Sequence, residues 1–159
     1  MSMKIQSLGS VAISTASKIN MHTPYNFEQV LLANMSEVKK AESDEAIFDE
    51  LADKYDIRNA TFEEVKEIGH AVYEAGVMTI KQLMILTFDY DRATQYIKMT
   101  TNGQASPNFT MYETASTADG KRDWIAEFTA RATKDRQYGN LVGYANKNEI
   151  ISILQLLEK

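Results

Sequence analysis

The chain has 159 residues, 44% of them hydrophobic and 25% charged, with a formal net charge of −5 and no cysteine. That length suits one domain and can bury a core without staples. The lack of cysteine excludes a disulfide scaffold, thiolate zinc, iron–sulfur ligation and cysteine catalysis, and the negative charge opposes a general phosphate-binding surface.

The charge is unevenly spread. Between Glu37 and Glu67 eleven acids face five bases, whereas Lys121 to Tyr138 carries five bases and three acids. An acidic partner, or the acidic segment of another copy, could therefore meet the second segment. No apolar run approaches the roughly 18 residues of a membrane helix, and the first residues hold no apolar region of signal-peptide length. No membrane contact is expected, and the expected location is cytoplasmic. The sequons at Asn34, Asn59 and Asn108 are read as chance.

Residues 1–25 are rich in Ser, Thr, Ala and Asn and read as a flexible N-terminal arm. The remainder, 26–159, reads as a single helical domain. Asn26, with Gln29 three places on, is a candidate cap for a helix over 27–40. Its stripe is Phe27, Val30, Leu31, Asn34, Met35 and Val38. Ser43 or Asp44 is expected to start a second helix, with Ile47, Phe48, Leu51, Ala52 and Tyr55 facing the core.

Thr61 and Glu64 form the S/T-x-x-E capping box of a third helix. It is closed by Gly76, where a left-handed residue is wanted. Thr79 and Gln82 repeat the box. Ile80, Leu83, Met84, Ile85, Leu86 and Phe88 are apolar nearly all round, which predicts a central buried helix. Residues 89–120 read as a long loop or a small β-hairpin, with Asn102-Gly103 as the turn and Pro107 interrupting the return strand. Lys121 to Tyr138 reads as a helix with Trp124, Ile125, Phe128 and Ala132 on its apolar side and Glu127 and Arg131 paired on the other. Asn146 with Glu149 resembles another cap pair. Ile150, Ile151, Ile153, Leu154, Leu156 and Leu157 are too apolar to be left in water. The fold class is thus mainly α, with five to six helices in a bundle-like array.

The candidate sites are few. Glu67 and His70 stand as Glu-x-x-His, a ligand spacing used by di-iron bundles, but that chemistry needs the motif twice and pointing inward. At about 100° per residue, Glu63, Glu67, His70 and Glu74 lie opposite Phe62, Val65, Ile68 and Val72. His22, the other histidine, lies in the arm. These four residues read as a solvated face and as partner-contact candidates, and no metal ligands are assigned. Residues 53–64 imitate a calcium loop in their first and twelfth residues, Asp53 and Glu64, but Tyr55, Ile57 and Arg58 occupy positions that require oxygen ligands and glycine, so no calcium site is expected.

Asp89 and Asp91 could serve as a carboxylate pair, but paired aspartates after a helix are also ordinary turn residues. No phosphate-cradling glycine loop accompanies them. No triad suggests itself around the two histidines. The helix after Thr79 lacks the polar reading face of a DNA-binding helix, so no nucleic-acid partner is expected. Trp124, a residue type common at interfaces and in cores alike, is the fifth partner-contact candidate. Met78, Met84, Met99 and Met111 share no stripe, so no methionine-lined groove is expected.

The expectation is a non-enzymatic adaptor or regulator, needing no cofactor, that acts by protein–protein contact or self-association. Its rivals are an exported or secretion-apparatus structural protein, and a small enzyme using the Asp89/Asp91 region.

Overall fold

A computed structural model describes residues 27–158. The N-terminal arm, His22 and the Asn26 cap lie outside the described residues. The chain is mainly helical: α1 (Phe27–Lys54), α2 (Phe62–Glu74), α3 (Ile80–Leu86), α4 (Tyr90–Thr100), α5 (Trp124–Gln137) and α6 (Leu141–Gln155). Among the described residues there is no β-strand, only an isolated bridge between Ala60 and Arg122.

The two expected helices over 27–55 are one. No glycine or proline separates Val38 from Ala46, and Lys, Ala and Glu are strong helix formers, so Ser43 and Asp44 ride on the helix instead of capping a new one. Among the described side chains of α1, those that reach the core lie in its second half, Phe48 and Leu51.

Both capping boxes form. Thr61 accepts from the amide of Glu64, and Glu64 accepts from the amide of Thr61 at 2.7 Å. Thr79 and Gln82 reproduce the arrangement, also at 2.7 Å. Gly76 takes φ +77° and turns the chain between α2 and α3, a conformation that favours glycine. The α2–α3 crossing is tight at Gly69, where a Cβ would stand 3.0 Å from Leu83 Cδ1 and 3.1 Å from Leu86 Cδ2.

Residues 89–120 are neither a single loop nor a hairpin. Asp89 caps α4 by accepting from the amide of Arg92 at 2.8 Å. The β-friendly threonines are accommodated because their hydroxyls bond back one turn, Thr94 to Tyr90 O at 2.7 Å and Thr100 to Tyr96 O at 2.9 Å. Asn102 and Gly103, at φ 50° and 83°, stop this helix and do not turn a hairpin. The segment after them returns across the core without regular structure.

Helices α5 and α6 pack most extensively on each other, α2 packs on α3, and α3 meets α6. α6 starts at Leu141 with Asn140 as its cap, so Asn146 and Glu149 are not its start. They lie within α6 and bond across to α3, Asn146 accepting from Lys81 at 3.0 Å and Glu149 from Gln82 at 2.9 Å. The core gathers Ile57, Val65, Ile68, Val72, Leu86, Trp124, Phe128, Ile150 and Leu154. A row of rings crosses it. Phe62 and Trp124 lie 6.0 Å apart, Trp124 and Tyr112 6.2 Å, Tyr112 and Tyr90 5.6 Å, and Tyr90 and Phe88 4.7 Å.

Candidate functional site

Glu127 and Arg131 do not pair on an exposed face. Glu127 is fully buried, and Arg122 and Arg131 are each 8% exposed. Burying a carboxylate requires partners for its lone pairs, and Glu127 has them in full. It accepts from Arg131 Nε at 2.7 Å, from the amides of Glu113 and Thr114 at 3.1 and 2.8 Å, and from the Thr114 hydroxyl at 2.6 Å. Arg122 stands 3.6 Å away and lies over the Tyr112 ring, 3.6 Å from its centroid. Among the described residues no buried side-chain polar atom is left without a partner. With every acceptor position engaged, Glu127 serves to pin the returning segment onto α5.

That pinning builds a surface. Arg131 lies over the Tyr90 ring at 3.4 Å and donates to Met111 O at 2.6 Å. Thr94 Oγ1 accepts from the Met111 amide at 2.9 Å. Tyr90 and Met111 are thereby fixed as one wall of a groove of about 620 Å³. Its other wall is α3, with Ile80, Met84 and Ile85, continued by Phe88 in the link to α4, and Lys81 and Lys147 complete the lining.

Helix α3 is not buried all round as its composition suggested. Leu83 and Leu86 face the core, while Ile80, Met84 and Phe88 are 55%, 67% and 46% exposed. Ile80 and Met84 lie one turn apart on α3, and Phe88, just past the end of the helix, continues their apolar edge as a ridge along the groove. Met84 and Met111 come from distant parts of the chain and both line this groove, a pairing that no single-helix stripe displays. Adaptable thioethers beside aromatic rings are suited to receiving an apolar surface of another molecule.

A second apolar surface lies on the first half of α1. Val30, Leu31, Met35 and Val38 are 42–57% exposed there, and among the described residues nothing covers them.

The expected contact residues divide. Glu63, Glu67, His70 and Glu74 are exposed on α2. Glu63 pairs with Lys66 at 2.7 Å, and Glu67 accepts from the Tyr55 hydroxyl and lies 3.7 Å from Lys54. Glu74 lines a recess of about 380 Å³ between α1 and α2. Trp124 is not on the surface. It is 1% exposed, with its indole N–H donating to Ala60 O at 2.8 Å, because its neighbour Arg122 carries the returning chain over it.

Asp89 is occupied as the α4 cap, and Asp91 accepts from the Tyr112 hydroxyl at 3.3 Å. Burial, followed by the nearby Asp91 charge, pushes the Tyr112 phenol well above the usual tyrosine range, so it stays protonated and donates. Among the described residues no group of three His, Asp or Glu could hold a metal, and no helix is long and apolar enough to cross a membrane. No family model, characterised protein or solved structure matches the chain.

Proposed function

We propose that the chain is a non-enzymatic adaptor or regulator that binds an amphipathic helix of a protein partner in the α3 groove. The observation that carries this reading is the Ile80–Met84–Phe88 ridge, exposed beside Tyr90 and Met111. A contiguous apolar patch of a few hundred Å² on a protein surface is often functional. Helix-in-groove recognition reads anchors at i, i+3 or i+4 and i+7, which suits a trough walled by one short helix and a fixed loop.

The groove is preferred to the acidic α2 face because Glu63 and Glu67 already have partners within the chain. The reading takes 26–159 as one domain acting in the cytosol, and the lack of cysteine suits that reducing compartment.

The test compares immobilised wild type and Met84→Glu over lysate of the native host. A protein kept by the wild type and lost by the variant is then purified and titrated calorimetrically. At least tenfold weaker binding to Met84→Glu is expected. Identical retention on both columns, or turnover by the purified chain in a substrate screen, would refute the reading.

A further inference from the structure

Helix α1 presents two apolar faces to two directions. At about 100° per residue, the stripe Leu31, Met35 and Val38 is centred roughly 160° around the helix from Ile47, Phe48 and Leu51, with Val30 between the two sets. The latter set turns toward the chain's own core, with Phe48 and Leu51 buried and Ile47 partly so. A straight helix cannot bring both faces to one core, so the first stripe is directed elsewhere. Followed toward the C-terminus, the stripe's own face turns acidic, with Glu42, Glu45 and Asp49 all exposed.

The α3 groove complements both parts of that face. Its walls are apolar, and its lining includes two lysines. Lys147 is paired with Asp135. Lys81 is exposed and bonds the neutral amide of Asn146, and among the described residues it has no carboxylate partner.

We propose that the helix received by the α3 groove is the first half of α1 from a second copy, exchanged reciprocally about a twofold axis. This rests on the helix-in-groove reading and names its occupant. Closed twofold pairs are the commonest protein assemblies, and reciprocity is what the areas require. The fractional exposures leave about 300–350 Å² of apolar side chain on the α1 stripe and a similar area on the α3 ridge. One helix–groove contact then removes roughly 650 Å² from water, as would α1 pairing with α1, and both fall short of a specific interface. Two reciprocal contacts remove at most roughly 1,300 Å², at the lower end of the range of specific interfaces.

Because the chain has no cysteine, engineered thiols report this geometry without background. Met35→Cys and Met84→Cys are placed singly and together, at positions 49% and 67% exposed, where neither should disturb folding; circular dichroism and urea midpoints verify that. On mild oxidation the double variant should form a covalent dimer, with peptide mapping showing 35-to-84 links between chains and neither single variant linking. A 35-to-35 link in the single variant, a 35-to-84 link within one chain, or no link would overturn the proposal. By light scattering, Met84→Glu should weaken self-association at least tenfold. If the wild type is monomeric yet Met84→Glu still loses a purified heterologous partner, self-exchange falls while the groove keeps its role. If the substitution changes neither, both readings fall.

Discussion

Replacing Glu127 by glutamine keeps the shape of the side chain and removes its charge. Sequence spacing alone makes Glu127 and Arg131 an exposed i,i+4 pair, worth about 0.3–0.5 kcal/mol. The structure places the carboxylate at 0% exposure, between two arginines each 8% exposed. Glutamine would leave both guanidinium groups buried without their shared counter-charge. Its amide nitrogen would also face a donor, whether Arg131 Nε or the Thr114 amide and hydroxyl. Breaking one partner out of a buried ion pair costs roughly 3–5 kcal/mol, a large share of the ~5–15 kcal/mol that holds a domain folded. Urea unfolding followed by circular dichroism measures this directly, with the midpoint falling at an unchanged slope. A loss below about 1 kcal/mol would return Glu127 to the surface-pair range and refute the buried network. Because Arg131 also holds Tyr90 and Met111, the same variant should loosen the groove wall.

Three further outcomes follow from local geometry. The Thr61 amide, donating to Glu64, holds that carboxyl below the usual glutamate value. Glu64 therefore adds stability that is present above the unfolded pKa near ~4.3 and lost as the pH falls through the depressed folded value. Glu64→Gln should keep the box, as Gln82 does beside Thr79, but flatten this acid limb in pH-dependent unfolding; an unchanged limb would contradict the assignment. Asp89→Ala should cost about 1 kcal/mol in thermal or urea unfolding and Asp89→Asn almost nothing, since asparagine caps as well as aspartate; equal losses from both would argue against a capping role. Gly76→Ala should cost about 1 kcal/mol through its positive φ alone, because nothing stands within 4 Å of the added Cβ, and a neutral result would refute the strain.

Sequence legibility followed where the information was local. The boxes at Thr61 and Thr79 and the glycine at 76 were readable because capping depends on residues three apart. Helix α4 was hidden by Thr94, Tyr96, Ile97 and Thr100, whose strand preference is overridden once the threonine hydroxyls bond back along the helix. The unity of α1 was hidden because its stripe changes face midway, which reads as two helices when each is assumed to serve one core. Trp124 lies buried on the apolar side that its spacing predicts, but the exposed ridge beside α3 was misjudged for a related reason. Composition states how apolar a segment is, but not which side the rest of the chain covers. The groove brings together Met84 and Met111, the latter held by Arg131, and no spacing rule links positions so far apart. The acidic face of α2 was legible at once, because an amphipathic helix reports its own wet side.

The central claim is that the α3 groove is a binding surface, and the methionines give it an internal control. Met84 is 67% exposed in the groove and Met99 is 75% exposed on α4, outside the groove lining. Free thioethers oxidise according to their exposure. Peroxide footprinting read by mass spectrometry, repeated while the chain is concentrated or a purified partner is added, should show Met84 becoming protected while Met99 keeps its rate. Equal protection of both, or no protection of Met84 when the complex has formed, would contradict the account.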